Sequence, residues 1–360
     1  MNVPKLRFKE FTDEWSFNRL ENISSIIMGQ SPNSENYTNN STDTILIQGN
    51  ADLDKGHIAP RIYTTQITKE CKIDDIIMTV RAPVGDVAIT EYNACIGRGV
   101  CAIKGSKYIY HYLNYLKSKD YWKKISKGST IDSITSNDIK QLIISSPNSK
   151  LEINKIIKTL NLLDKKIELQ SQKVEDLKLY KLCIMQNIFS KANMKVKLGK
   201  IADIFKGKQV NSEELLPKGK YYMLNGGITP SGYLNEYNTF ENTITISEGG
   251  NSCGYVNFNK VKFWCGGHCY SLNDIKIDNN YLYQALKLNE NKLMKLRVGS
   301  GLPNIQKKDL ENFEFNIHDS AKQNIISNCL NKYDYKIELE IKLLESLVQL
   351  KKGLMQNMFV

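Results

Sequence analysis

Two long stretches of this chain place apolar residues on alternating steps of three and four. In the first, Ile153, Ile156, Leu160, Leu163, Ile167, Val174, Leu177, Ile184 and Ile188 keep that rhythm, and Gln170 and Lys181 fill the steps where an apolar residue is missing. In the second, Ile326, Leu330, Tyr333, Ile337, Leu344, Leu347, Leu354 and Met358 repeat it, with Glu340 and Lys351 at the matching interruptions. The period is that of a coiled-coil seam. Ser149 with Glu152, and Ser320 with Gln323, stand ahead of the two series in the spacing of a capping box, which marks both starts. Each helix then runs about 40 residues, or about 60 Å. A seam sustained over about five heptads is longer than one small domain covers, so the two helices are expected to pack on each other.

The two stretches are copies. Sliding the chain by 170 residues sets "LNLLDKKIEL" (160–169) on "LNKYDYKIEL" (330–339), and 14 of the 30 pairs from there to Phe189 and Phe359 are identical. Upstream, "GSTIDSITSNDIK" (128–140) pairs with "GSGLPNIQKKDLE" (299–311), and "LENISSIIMGQSPNSE" (20–35) pairs with "LGKIADIFKGKQVNSE" (198–213). The middles, 38–110 and 216–280, do not align convincingly. They consist of short β-branched or aromatic runs such as "DTILIQG", "NTITISEGG" and "CGYVNFNKVKFW", punctuated by Gly, Asn and Asp, and are read as strands. Each half is thus an α+β globule followed by a long helix, a shared frame around a divergent interior.

A net charge of +11 suits a polyanionic partner such as nucleic acid, although 43 of the 49 basic residues are lysine, as an AT-rich coding bias would also produce. The opening "MNVPKLRFKEFTDEW" lacks the apolar segment of a signal peptide, and no run approaches a membrane span, so a cytoplasmic protein without membrane attachment is expected. Eight scattered cysteines read as reduced, mostly buried thiols. Cys253, Cys265, His268 and Cys269 carry zinc-binding groups, but their spacing matches no familiar finger or knuckle and no metal is expected. There is no phosphate-binding loop, no dinucleotide glycine fingerprint and no Pro-Pro pair of the kind found where amino-methyltransferases hold a base. No catalytic residue is assigned.

The opening "VPKLRFKEFTDEW", the segment "IIMGQSP", the duplicated helix ending in "MQNIF" and "MQNMF", and "SEGGNSCGYVNF" with "FWCGGHCYSL" together resemble the specificity subunit of type I restriction-modification systems, over essentially the whole chain. The resemblance implies an α+β fold. Two β-rich target-recognition domains form a pseudo-two-fold tandem repeat, separated by two long helices in an antiparallel coiled coil. It places one recognition domain at 1–147, the first helix at 148–191, the second domain at 192–318 and the second helix at 319–360. It further implies a non-catalytic subunit that reads a bipartite, asymmetric double-stranded DNA target. Such a subunit positions two methyltransferase subunits and, for cleavage, ATP-dependent restriction subunits. S-adenosylmethionine and ATP would reside on those partners, with no cofactor on this chain. The residues alone leave a second reading open, a coiled-coil scaffold with β-rich protein-binding domains.

Base recognition needs bidentate side chains, and phosphate contact needs cations, hydroxyls or amides. In the first interior the candidates are Arg61, Arg81 and Arg98, three of only six arginines, with Gln30 and Ser31 in a shared-frame loop. The second half offers Lys206, Lys208 and Gln209 in the matching loop, then Asn225, Ser231, Tyr233, Asn251, Ser252 and His268 beside glycine turns, with Lys260 and Lys262 as phosphate contacts. The seam candidates are Ile156, Leu160, Leu163, Ile167, Val174 and Leu177 with Ile326, Leu330, Ile337, Leu344 and Leu347. Partner contact is expected at the duplicated Met185, Gln186, Asn187 and Met355, Gln356, Asn357.

Overall fold

The computed structural model describes residues 3–125, 133–299 and 303–360, so the paired segments beginning at 128 and 299 lie partly outside the described residues. The chain divides into two compact units, one formed by residues up to Gln170 with Leu343–Val360 and the other by Ser171–Lys342. Each unit combines one β-rich globule with part of each long helix. Among the described residues no helix is long and apolar enough to cross a membrane.

In the first unit, strands β1 (Trp15–Arg19), β2 (Ser25–Met28), β3 (Thr44–Ile47), β4 (Ile76–Thr79), β5 (Val87–Ile89), β6 (Ala94–Ile96), β7 (Val100–Lys104) and β8 (Ile143–Pro147) accompany helices α1 (Lys107–Ser118) and α2 (Lys150–Phe189). An antiparallel sheet runs β5-β4-β7-β2, β3 and β6 pair in parallel in a second sheet, and β1 and β8 form a ribbon. The second unit holds β9 (Met194–Lys197), β10 (Asp203–Lys206), β11 (Tyr221–Leu224), β12 (Thr243–Ser247), β13 (Val256–Asn259), β14 (Trp264–Cys265), β15 (Cys269–Asn273) and β16 (Glu314–Ile317). Its helices are α3 (Asn279–Leu288) and α4 (Ser320–Met358). Its antiparallel sheet runs β10-β15-β12-β13, β11 and β14 pair in parallel, and β9 and β16 form the ribbon.

The two interiors, which the sequence left unaligned, therefore share one framework. Gly29 N–H donates to the Val100 carbonyl as Gly207 N–H does to Cys269, and Gly97 N–H to Ile47 as Gly266 N–H to Leu224. Val80 N–H donates to Gly99 as Glu248 N–H does to His268, and Ile134 N–H to Val80 as Ile305 N–H to Glu248. These bonds need only backbone, so side-chain identity was free to drift while the frame persisted. Glycine is required at a crossing that both units share: a Cβ on Gly29 would sit 2.1 Å from the Gly97 carbonyl oxygen, and one on Gly207 2.2 Å from that of Gly266.

Both helices form as the spacing predicts, and their caps differ in detail. Glu152 N–H reaches Ser149 Oγ, but the Glu152 carboxylate turns away from the cap to make a buried bidentate pair with Arg7, at 2.7 and 2.8 Å. At the second helix Asp319 replaces Ser320 as the cap, its side chain accepting from Lys322 N–H, while Gln323 donates to the His318 carbonyl.

In the first unit Ile156, Leu160 and Leu163 are buried and Ile167 half-buried on α2, with Leu347 buried and Leu344 half-buried on α4. Ile156 and Leu160 join one apolar core with Met355, Met358, Phe359 and the globule's Trp15, Ile139 and Ile144. In the second unit Val174 is buried and Leu177 half-buried on α2, while on α4 Leu330 and Ile337 are buried and Ile326 half-buried, Leu330 sharing a core with Met185 and Phe189 of α2. Lys173 pairs with Glu340 at 2.7 Å and Lys181 with Asp334 at 2.6 Å, so here the helices run antiparallel. The seam is thus helix against helix, and its outer ends are also core for a globule.

The polar interruptions are docking points. Lys181 Nζ reaches Asp334 on the partner helix and Gln284 of α3, and Gln284 donates to the same Asp334. In the other unit the equivalent Lys351 pairs with Asp164, which lies 3.8 Å from His111 of α1.

Candidate functional site

In the first unit the turns that follow β2, β3, β4 and β6 converge on a cleft of about 480 Å³ lined by Ser31, Ser34, Tyr37, Gln48, Asn50, Arg81 and Arg98. Arg81 and Arg98 also line an adjoining hollow with Met28, Val80 and Ser133. Each wall is braced. The buried Asp52 carboxylate accepts from the backbone N–H groups of Gln48 and Gly49 at 2.8 and 3.0 Å, which shapes the turn that presents Gln48. Asn50 donates to Asp86, which in turn pairs with Lys117 of α1. Ser31 Oγ accepts from Arg98 N–H at 3.1 Å, tying the loop after β2 to the loop after β6.

Of the candidates read from the sequence, the structure brings Ser31, Arg81 and Arg98 together at this cleft and leaves two aside. Arg61 binds Asp52 through Nε at 3.0 Å, bracing the turn from behind. Gln30 uses its backbone N–H on Ile96 and its carbonyl on Thr68, with its side chain exposed. The ion pairs of this region go to other cations. Among the described residues no carboxylate lies within ion-pair reach of Arg81 or Arg98, and both side chains are exposed.

The framework fixes the corresponding site of the second unit. Met28, Gln30 and Ser31 correspond to Lys206, Lys208 and Gln209; Gln48 to Asn225; Val80 and Arg81 to Glu248 and Gly249; Arg98 and Gly99 to Gly267 and His268; and Ser133 to Asn304. Here Glu248 is the hub. Its carboxylate pairs with Lys206 at 2.6 Å, lies 3.4 Å from His268 Nδ1 and accepts from the Tyr270 hydroxyl at 3.2 Å. Burial, aided by the nearby Glu248 charge, pushes the Tyr270 hydroxyl up to about 12, so it remains a donor to that carboxylate. Asn225 Oδ1 accepts from His268 N–H at 3.0 Å, and the short turn Gly250–Ser252 places Asn251 and Ser252 next to Gly249. Lys206 and His268 are exposed on this buried acid.

Several sequence expectations are redirected. Lys260 pairs with Glu338 of α4 at 2.7 Å and, with Lys342, holds that carboxyl down to about 2, so its ammonium is engaged by a helix acid here. Lys262 lies 4.7 Å over the Tyr237 ring and 5.4 Å over that of Phe240. Ser231 and Tyr233 belong to the edge hairpin around Gly232–Leu234, where Ser231 N–H donates to the Met223 carbonyl and Tyr233 N–H to that of Leu216. Met185 and Met355 are buried in the two cores and leave the expected partner surface, because the apolar end of each helix is needed to close its own unit. Gln186, Asn187 and Asn357 stay exposed and Gln356 half-exposed. Cys253 and Cys265 donate to the backbone carbonyls of Glu248 and Cys269, and no metal-binding cluster occurs among the described residues.

Gln48, Asn50 and Glu248 escaped the sequence reading. The signal that would have found them is the glycine pattern: "IGRG" and "CGGH" are equivalent once Gly97 is matched to Gly266, and that match carries the interior alignment with it.

Comparison with known proteins agrees with this duplicated plan. The family model described as the type I restriction modification DNA specificity domain matches twice, at residues 12–179 and 191–349. A putative type I specificity subunit of Mycoplasma pneumoniae is 38% identical over 152 residues, 41% of this chain and 40% of that protein. A putative type I restriction enzyme specificity subunit of Methanocaldococcus jannaschii is 32% identical over 201 residues, 54% of this chain and 46% of that protein. The chain thus spans less than half the length of these curated relatives. The crystal structure of a type I restriction-modification S subunit from M. genitalium covers 99% of both chains with a TM-score of 0.66 at 21% identity, a likeness of fold.

Proposed function

The chain belongs to the type I restriction-modification DNA specificity family, and from that premise we propose that it is a non-catalytic subunit reading an asymmetric, two-part double-stranded DNA target. One observation supports this above the rest: a single backbone frame, used twice, carries unlike side chains at the positions that face outward. Arg81 and Arg98 stand in one unit where Gly249 and Gly267 stand in the other, and Gly99 gives way to His268. Equal frames engage equal phosphate backbones, whereas unlike side chains select unlike bases. A target read this way has two different halves.

Partner binding follows from the helices. Leu169 and Leu350 are exposed in the first unit, and the repeat sets Leu339 and Tyr180, also exposed, in the second. Each unit thus shows an exposed apolar pair at equivalent positions, Leu–Leu in one and Leu–Tyr in the other, which suits two copies of one partner, the methyltransferase subunit. Restriction subunits would join for cleavage. S-adenosylmethionine and ATP chemistry would belong to these partners.

The test is to map methylated bases in cells with and without this chain and its partner subunits, alongside gel shifts of the full chain on candidate duplexes. A gapped, asymmetric motif that appears with the gene is expected. A palindromic or uninterrupted motif, or no motif and no shift, would refute the reading.

A further inference from the structure

We propose that Arg81 and Arg98 are specificity-determining residues that read guanine in one half of the target, and that the other half is read without an arginine pair. This rests on the DNA-recognition reading above. Four observations carry it. The two arginines share the cleft walls with amide and hydroxyl side chains, Gln48, Asn50 and Ser31, which are groups suited to base edges. Among the described residues they have no acidic partner, in contrast to Arg7 and Arg61. Ser31 and the bridge between Arg81 and Ser133 fix the backbone that carries them.

The fourth observation separates base from phosphate. Phosphates are common to both halves of any duplex, and a frame position devoted to them would keep a cation in both units. Here Arg81 and Arg98 correspond to Gly249 and Gly267, and Val80 corresponds to the Glu248 that anchors Lys206 and His268. The cationic forks therefore serve something only one half-site has. A guanidinium fork matches O6 and N7 of guanine, the pair of acceptors that no other base presents in the major groove.

The experiment compares the full chain with Arg81→Lys, Arg98→Lys and the double variant on a library of randomised duplexes at one salt concentration, sequencing the bound fraction. Lysine keeps the charge and loses the fork. The parent should enrich a two-part sequence with guanine in one part. Each lysine variant should lose roughly 5- to 150-fold of that guanine preference, with the second part and the salt dependence unchanged. Thermal unfolding matching the parent checks that the cleft persists. Variants that keep every base preference, whether or not overall affinity changes, would show that the forks do not read guanine and overturn the proposal, as would altered preference in both parts. A parent that enriches no two-part sequence would overturn the DNA-recognition reading itself, a result distinguishable from the first two.

Discussion

His111 tests how the first globule is seated on its helices. Its ring is fully buried, with Nε2 2.8 Å from Asn161 Oδ1 of α2 and Nδ1 3.8 Å from Asp164, the carboxylate that pairs with Lys351. Burial is the main cause that drives its pKa from 6.5 down to about 4; Lys351 and Lys107 push the same way, while Asn161 and Asp164 oppose. The unfolded chain takes this proton near pH 6.5, and the folded one resists it until about pH 4. Above the first value the residue leaves stability independent of pH. Between the two, the unfolded state binds more protons, so stability falls as pH falls, by about 1.4 kcal/mol per pH unit and about 3 kcal/mol in all. The second unit has Gln284 in this role, which takes no proton. His111→Gln should therefore keep a hydrogen bond to the helix and flatten stability between pH 6.5 and 4. Urea unfolding at a series of pH values measures this, with Trp264 replaced by Phe so that Trp15 and Trp122 report the first unit. If parent and variant lose stability with the same slope, the ring is not held neutral by its seat and the reasoning fails.

Lys181→Met removes the cation between Asp334 and Gln284. With Lys181 only 11% exposed but Asp334 39% exposed, partial screening places the cost at about 1–3 kcal/mol. Adding Asp334→Leu should recover most of it, as read by unfolding of the second unit. Gly29→Ala and Gly207→Ala each drive a methyl group into a carbonyl oxygen and should lower stability by about 2 kcal/mol or more. Thermal unfolding checks this, and near-parental stability for either would show that the crossing is looser than described. Asp52→Asn weakens the acceptor for Gln48 and Gly49 N–H groups and should relax base preference in one half-site, at a stability cost of about 1 kcal/mol. Equal relaxation in both halves, in the same library selection, would contradict the local role.

The helices were legible in the sequence because a seam is a periodic demand: positions from Ile156 to Leu347 had to be apolar wherever two helices meet, and they are buried or half-buried. The duplication was legible in the helices for the same reason. The interiors were not, because their frame is held by backbone bonds and a few close approaches, which constrain glycine and little else. Arg81 and Arg98 could be picked out by rarity, whereas their convergence depends on three turns from distant segments. The ion pair of Lys260 with Glu338 was not legible, because an exposed lysine looks the same in sequence with or without an acidic neighbour. Met185 misled differently: it was preserved between the halves for packing, not for display.

Duplication also constrains how the helices can pair. The repeat sets Lys181 and Lys351 at the same seam position, and Gln170 and Glu340 at another. A parallel, in-register pair would lay lysine beside lysine in a poorly solvated seam, with no carboxylate between them. Run antiparallel, the same two lysines meet Asp334 and Asp164, themselves equivalent residues, and each acid also meets the first helix of a globule through Gln284 or His111. A polar seam residue that is satisfied in one orientation and orphaned in the other selects the first, at some cost in raw stability. The residues that choose the helix orientation therefore also seat the β-rich globules, and cannot drift in one half alone. The residues at the cleft mouths carry no such double duty. That difference is why Lys181 and Lys351 remain the same residue while Arg98 and Gly267 do not, and it is the arrangement that the proposed reading of two unlike half-sites requires.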